Sequence, residues 1–301
     1  MPAASGPGDA VLRAPASPAP ILAALINGVR GDTLAIADRG LHYGDGLFET
    51  ISLRQGAPCL WSEHLARLRQ GAERLAIPLP DSELLLRECR ELARGVAAGV
   101  IKLMLTRGVG GRGYRPPRHP RPSRLLLLYP QPARLASASR AGVAVRWCET
   151  RLGENPRLAG IKHLNRLEQV LARAEWNPDA GADACAEGLM CDCRGRVIAG
   201  TMSNLFLYAP GRLLTPRLDT CGVAGTARAL VLRRAPTEGL PVAEADLYRD
   251  DLVTAEGLFL TNAVNGVWPI RRLGDQVFDV ERLPLGLMAV LDAAIFAPLA
   301  E

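Results

Sequence analysis

Lys162 is the residue whose surroundings most clearly suggest chemistry. The segment before it, 151–160, is rich in residues that favour turns, and from Leu164 onward apolar residues recur at helical spacing. Asn165, with Glu168 three residues later, is placed to cap the first turn of that helix. The pattern predicts a lysine at a loop-to-helix junction, with its amine either directed into a cleft or simply solvated.

Two further features would suit a small anion. Arg67 lies on a predicted amphipathic helix, 62–75, with Ser62 as its N-cap. Gly225 and Thr226 open another predicted helix, where free backbone N–H groups and the helix dipole attract anions. An amine nucleophile together with such a phosphate clamp is what a phosphate-bearing aldehyde cofactor requires, because lysine forms an imine with pyridoxal phosphate.

Two glycine-punctuated segments carry polar and aromatic side chains. The first surrounds His42 and Tyr43, and its glycines either serve the connection alone or permit close approach to a ligand. The second, 107–114, lacks the Gly-Lys-Ser/Thr ending of a phosphate-binding P-loop. It is either a flexible loop or an anion-gripping lid that carries Arg112 and Tyr114.

The length and composition favour a globular protein of one large domain or two ordinary ones, since the chain has 301 residues and is 48% hydrophobic. Residues 1–20 are rich in Ala, Pro, Ser and Gly, do not match a signal peptide, and are predicted to be a disordered lead-in. A proline-flanked linker at 130–132 predicts an N-terminal domain over 21–130 and a C-terminal domain over 131–301.

Charge and cysteine usage exclude several classes of function. The net charge of +5 comes from dispersed arginines and suits a small anionic ligand better than nucleic acid. No apolar run approaches the roughly 20 residues that span a bilayer, so no membrane segment is expected. Seven scattered cysteines predict reduced thiols and a cytoplasmic protein. Cys191 and Cys193 form a pair without metal-binding partners at the required spacing, so no metal site is expected.

The order and wording of these motifs resemble the fold-type IV pyridoxal phosphate enzymes, and among them the aminodeoxychorismate lyases. The resemblance runs from about Leu25 to the C-terminus. Signs shared by the wider family are the segments 38–50, 63–68 and 203–206. Signs closer to the lyases are 107–114 and 158–171, because transaminases of this fold lack the His-Leu-Asn-Arg-Leu-Glu-Gln wording after the lysine.

The resemblance implies an α/β (α+β) fold of two domains, a small N-terminal α/β domain and a C-terminal pseudobarrel. The cofactor, pyridoxal 5'-phosphate, would lie between them in a homodimer. The implied reaction converts 4-amino-4-deoxychorismate to 4-aminobenzoate, a folate precursor, and pyruvate. A D-amino acid or branched-chain aminotransferase, or a catalytically weak cofactor-binding relative, is the alternative.

The resemblance also implies roles for individual residues. Lys162 would hold the cofactor covalently and move the proton. The predicted cofactor-binding residues are Arg67, Gly225, Thr226, Asn262 and Ala263. The predicted substrate-binding residues are Arg112, Tyr114, Tyr43 and His42.

One position departs from the family pattern. These enzymes normally carry a glutamate shortly before the Ser-Asn-Leu-Phe segment, where its carboxylate keeps the pyridine nitrogen of the cofactor protonated. Ala199 occupies that place here. Because alanine offers no charge, the cofactor becomes a poorer electron sink. We expect this loss to harm transamination more than the lyase reaction, which forming an aromatic ring pulls forward, so that an attenuated lyase activity remains.

Overall fold

The computed structural model describes residues 20–132, 141–177 and 184–300. The predicted lead-in therefore lies almost wholly outside the described residues. Strands and helices are mixed along the chain, and the strands form a six-stranded sheet and a nine-stranded sheet. The domain boundary at 130/131 falls between the two sheets but remains a prediction.

The first sheet has the strand order β2-β1-β6-β5-β3-β4. Its strands are β1 (Ala23–Ile26), β2 (Val29–Arg30), β3 (Gly46–Arg54), β4 (Ala57–Pro58), β5 (Ala98–Thr106) and β6 (Ser123–Pro130). The pairs described in this sheet are all antiparallel. Asn27 and Gly28 turn the first hairpin with φ of 53° and 84°, a conformation that asparagine and glycine tolerate best.

Three helices belong to the first sheet: α1 (Arg39–Tyr43), α2 (Trp61–Leu75) and α3 (Ser82–Leu92). Asp81 caps α3 by accepting a hydrogen bond from Glu83 N. Helix α2 begins one residue before the predicted cap Ser62, and the preceding Leu60 takes a left-handed φ of 49° without a side-chain cap. The apolar face of α2, including Leu68 and Ala72, packs in the core against β3.

The second sheet has the order β12-β11-β10-β13-β14-β7-β8-β9, with β15 paired to β14. The strands are β7 (Val143–Trp147), β8 (Glu187–Cys191), β9 (Val197–Gly200), β10 (Asn204–Ala209), β11 (Arg212–Pro216), β12 (Val242–Ala245), β13 (Gly257–Asn262), β14 (Gly266–Leu273) and β15 (Gln276–Val277). Parallel and antiparallel pairs are mixed. The sheet curls into a half-barrel, which agrees with the predicted pseudobarrel.

The remaining α-helices are α4 (Leu167–Arg173), α5 (Thr226–Arg234), α6 (Arg249–Val253) and α7 (Leu285–Ile295). Short 3-10 helices cover Ala235–Glu238 and Val280–Arg282. Helices α5 and α7 cover one face of the second sheet, where Phe206 and Phe259 stack with ring centroids 5.0 Å apart. In the described part of the chain, no helix combines the length and apolar character needed to cross a membrane.

The segment 160–164 runs between the two sheets and is held by backbone hydrogen bonds on both sides. Phe48 N donates to Lys162 O and Leu164 N to Gly46 O, each at 2.9 Å, which joins the segment to β3. On the other side Gly160 N donates to Gly222 O at 3.0 Å. The lysine is therefore fixed in an extended stretch rather than at the mouth of a helix.

The predicted start of the following helix is wrong by three residues. Helix α4 begins at Leu167 after an N-cap, Arg166, that makes no side-chain cap. Asn165 instead donates to Gly44 O at 3.1 Å, and Glu168 accepts from Gly153 N at 2.8 Å. Both side chains that suggested a capping box are used in tertiary contacts, so the local signal was misleading.

Candidate active site

A cavity of about 570 Å³ lies between the two sheets and collects most of the predicted site residues. Those that line it are Lys162, Arg67, Gly225, Thr226, Asn262, Ala263 and Ala199. The predicted roles of these residues stay predictions, but their side chains and backbone meet in one place. Of the described residues lining the cavity, none is Asp or Glu, whereas Arg67, Lys162 and Arg166 are cations.

Lys162 is partly buried in this cavity. Its Nζ lies 4.3 Å from the centre of the Phe48 ring. The adjacent Ile161 is fully buried in the core of the first sheet and anchors the lysine backbone. Burial, followed by the positive charge of Arg67, lowers the pKa of Lys162 to about 7. A large fraction of the amine is therefore uncharged near neutral pH, which is the form that attacks an aldehyde or accepts a proton.

Arg67 is held by a buried network that the sequence reasoning did not assign. Its Nε donates to Glu49 Oε1 at 2.8 Å, and Nη2 donates to Glu49 Oε2. His64 Nδ1 lies 2.6 Å from the same carboxylate. Burial opposes ionisation of Glu49, but the charge and hydrogen bond of Arg67 outweigh it and lower its pKa to about 2. The guanidinium is thus fixed at the cavity wall by a permanently ionised partner.

The start of α5 also faces the cavity. Asn204 fixes it, because its Oδ1 accepts from Gly225 N at 3.0 Å and its Nδ2 donates to Val223 O at 2.9 Å. A Cβ at Gly225 would stand 2.0 Å from Asn204 Oδ1, so only glycine fits. The first turn of α5 contains no acidic residue, which leaves its N–H groups and dipole available to an anion.

The turn after β13 completes this wall and ties the two sheets together. Asn262 Oδ1 accepts hydrogen bonds from Val264 N at 2.9 Å and Asn265 N at 2.7 Å. Ser52 Oγ of the first sheet donates to Ala263 O at 2.7 Å. The hydroxyl of Thr261, 1% exposed and lining the cavity, has no hydrogen-bond partner among the described residues. This hydroxyl is therefore a candidate hydrogen-bond donor to an anion bound in the cavity.

These observations fit pyridoxal phosphate. Arg67, the free N–H groups of α5 and the Thr261 hydroxyl would hold the phosphate, and Lys162 would hold the aldehyde carbon. A bound phosphate would accept a hydrogen bond from the unpaired Thr261 hydroxyl and would use the close approach that glycine allows at Gly225.

Ala199 lies on β9, is 7% exposed and lines the cavity without any charge. The nearby acid is Glu187 on β8, which is fully buried. Its carboxylate accepts from Thr201 N at 3.0 Å and Ser203 Oγ at 2.8 Å, and so is used to shape the turn after β9. Glu187 does not line the cavity, so the departure at Ala199 is not compensated from that side.

The four predicted substrate-binding residues lie together, away from the lining of this cavity. Tyr43 and Tyr114 have ring centroids 5.4 Å apart, and Tyr43 Oη accepts from Gly113 N at 3.2 Å. Tyr114 is 85% exposed and Arg112 is exposed. A ring nitrogen of His42 lies 2.7 Å from Ile36 O. Their substrate-binding role stays a prediction.

No group of His, Cys, Asp or Glu residues suited to a metal ion occurs within 20–132, 141–177 and 184–300. Cys191 is buried at the end of β8, whereas Cys193 is exposed beyond it. Of the two thiols, only that of Cys191 lies on the strand and packs in the core.

Comparison with known proteins bears on the same region. The family model described as amino-transferase class IV matches residues 46–273. An aminodeoxychorismate lyase of Vibrio harveyi is 36% identical over 245 residues, which cover 81% of this chain and 89% of the relative. A putative branched-chain-amino-acid aminotransferase of Methanocaldococcus jannaschii is 32% identical over 249 residues, covering 82% and 84%.

Among solved structures, the 4-amino-4-deoxychorismate lyase of Pseudomonas aeruginosa superposes with a TM-score of 0.83 at 46% identity. The match covers 89% of this chain and 99% of that one. The fold and the resemblance seen in the sequence are thereby confirmed, and the chain belongs to the class IV amino-transferase family of pyridoxal phosphate enzymes.

Proposed function

We propose that this protein is a pyridoxal-phosphate-dependent lyase that converts 4-amino-4-deoxychorismate to 4-aminobenzoate and pyruvate. The observation that carries the proposal is Lys162, an amine with a pKa of about 7 beside a phosphate cradle in a cavity whose described lining contains no carboxylate. The identities to proteins named as this lyase favour it over an aminotransferase.

The residues of the chain divide the work of the reaction. Pyridoxal phosphate, when bound, withdraws electrons from the carbon that carries the substrate nitrogen. Arg67, ordered by Glu49, and the start of α5 fix the phosphate and thereby the position of the ring. Lys162 Nζ, held over Phe48, takes the proton from that ring carbon.

The elimination is balanced without an oxidant or water. The C–H bond at the nitrogen-bearing carbon breaks and its proton passes to Lys162. Its electron pair forms the third double bond of the ring as the neighbouring C–O bond breaks, and the three-carbon group leaves as the enolate of pyruvate. One proton taken up by the enolate, equal to the one that Lys162 removed, gives pyruvate. The ring gains aromaticity, which supplies the driving force. The protonated Lys162 returns its proton before the next cycle.

The test is the purified protein reconstituted with pyridoxal phosphate and given aminodeoxychorismate, with pyruvate detected by a coupled assay. We expect pyruvate and 4-aminobenzoate in equal amounts, and loss of both with Lys162→Ala. Cofactor binding without either product would overturn the proposal. A keto-acid-dependent conversion of the cofactor to its amine form would instead support the aminotransferase.

We propose that the enzyme acts as a homodimer in the cytoplasm. Support for the dimer comes from the apolar face of α4, where Leu167, Val170 and Leu171 are 76%, 60% and 61% exposed. Met202, 51% exposed, also lines the cavity.

A reducing compartment suits the seven cysteines, none of which forms a disulfide.

A further inference from the structure

Arg166 is a cation in the cavity that forms no salt bridge with a carboxylate in the described part of the chain. Among the described residues, four buried arginines each form a salt bridge with Asp or Glu: Arg39, Arg107, Arg196 and Arg228. Arg67 does the same with Glu49.

Arg166 instead donates from Nε to His163 O at 3.0 Å and from Nη2 to His163 Nε2 at 2.5 Å. Burial lowers its pKa to about 10, so the guanidinium stays charged at neutral pH.

The contact with Arg166 fixes the protonation of His163. A guanidinium can only donate, so Nε2 of the imidazole must accept and Nδ1 must carry the hydrogen. Burial and the charge of Arg166 lower the pKa of His163 to about 4, which keeps the ring neutral. Its Nδ1 is buried and has no partner among the described residues. His163 therefore holds the guanidinium in place without neutralising its positive charge.

A second cavity of about 350 Å³ adjoins the first at these residues. Arg166 and Gln169 line both cavities, and His163 lines the second. The amide oxygen of Gln169 is also buried without a partner in the described structure. The junction of the two cavities thus concentrates a cation and two unsatisfied polar groups, which is unusual unless a ligand uses them.

The acidic residues that face the second cavity hydrogen-bond to other groups, although the charge of Glu168 partly offsets the effect of burial on the pKa of Arg166. Glu154 accepts from Arg194 Nη2 at 2.7 Å. Glu168 accepts from the backbone of Gly153. With the phosphate assigned to Arg67 and the chemistry to Lys162, Arg166 is the cation of the first cavity that remains for another anion.

We infer that Arg166, held in place by His163, forms a carboxylate-binding subsite that selects the substrate. The inference rests on the proposed function, because aminodeoxychorismate carries one carboxylate on its ring and one on its three-carbon side chain. Arg166 binds one of these and orients the substrate so that the ring carbon faces Lys162. Arg166 lines the cavity, whereas Arg112 is exposed and does not line it.

The test measures binding without turnover. The holoenzyme is titrated by calorimetry with 4-aminobenzoate and separately with pyruvate, which between them carry the two carboxylates. Arg166→Gln should weaken at least one of them by about 10- to 100-fold, the usual range for a lost charge-assisted hydrogen bond. Arg166→Lys should recover part of the affinity, because it keeps the charge but not the planar donor geometry.

Arg173→Gln is the matched control. Arg173 is the last residue of the helix that Arg166 precedes, stacks on Trp176 at 4.4 Å and lines neither cavity, so its loss should leave both affinities unchanged. Unchanged affinities for both ligands in Arg166→Gln, with the cofactor spectrum of the wild type, would overturn the inference. If Arg166→Gln does not fold, wild-type affinities for both ligands in Arg166→Lys would overturn the inference instead.

The same experiment separates the subsite from the lyase activity. If carboxylate binding depends on Arg166 but no pyruvate forms from aminodeoxychorismate, the subsite stands and the proposed function fails. In an active enzyme, Arg166→Gln should raise KM far more than it lowers kcat, because the contact is made in the bound substrate as well as in the transition state.

Discussion

Lys162 has a pKa far enough below that of an ordinary lysine to set a pH dependence. Only the neutral amine captures the aldehyde of pyridoxal phosphate, and burial and Arg67 place its pKa at about 7. The rate of capture by the apoprotein should therefore rise up to about pH 7 and level off above it. Stopped-flow absorbance across pH 5.5–10 measures this, and a rate still rising steeply between pH 8 and 10 would contradict it.

Glu49 holds Arg67 in place, and this buried ion pair should contribute more to the free energy of unfolding than an exposed one. Replacing a buried ionised carboxylate leaves the guanidinium uncompensated, so Glu49→Gln should reduce the free energy of unfolding by about 3 kcal/mol and weaken cofactor binding. Glu63→Gln is the control, because Glu63 lies on α2, the helix that carries Arg67. Its partner Arg233 is 59% exposed, so we expect the free energy of unfolding to fall by less than about 1 kcal/mol. Denaturant unfolding and cofactor titration measure both, and equal losses would show that burial does not matter here.

Ala199 defines the third residue-scale prediction. A carboxylate at this position of the cavity wall would hold a proton on the pyridine nitrogen, so Ala199→Glu should increase the rate of 4-aminobenzoate formation. Ala199→Gln has similar size without the charge and should give no gain. If neither variant is faster than the wild type, the missing acid does not limit the reaction.

At the scale of elements, the sequence predicted α2 and α5 but misplaced the start of α4. Helical spacing found α2 to within one residue of its start, because that pattern records burial directly. The glycine-threonine pair marked the start of α5. The start of α4 was missed because Asn165 and Glu168 bind Gly44 and Gly153, which lie 121 and 15 residues away. The contacts of Glu49 and Arg166 at the site were likewise hidden, since each depends on how elements pack.

The start of α5 carries an element-scale prediction. Because a Cβ at Gly225 would collide with Asn204 Oδ1, Gly225→Ala should displace the first turn and weaken cofactor binding by at least about 10-fold. Gly286→Ala in α7 is the control, since nothing lies within 4 Å of its Cβ position, and it should leave cofactor binding unchanged. Fluorescence titration compares them, and equal affinities would remove α5 from the phosphate site.

At the scale of the whole molecule, the site exists only because the two sheets are joined. The backbone of Lys162 accepts a hydrogen bond from β3. Arg67 donates to Ala224 O at 2.9 Å, and Ser52 donates to Ala263 O. The sequence predicted the cofactor residues through resemblance, and the structure brings those residues to one cavity. The sequence could not show that Tyr43 and Tyr114 lie outside the lining of that cavity, because their position depends on how distant segments are placed relative to one another.

The exposed face of α4 gives the last prediction, which concerns assembly. Three large apolar side chains on one short helix cost free energy in water unless another surface covers them, and a second copy is the partner we propose. Light scattering should therefore find a mass of about twice 32.2 kDa. Leu171→Glu should shift this towards the monomer, since it buries a charge in the interface. Val277→Glu, at a site 70% exposed on β15, should leave the mass unchanged. A wild-type-like dimer in Leu171→Glu would show that another surface forms the interface.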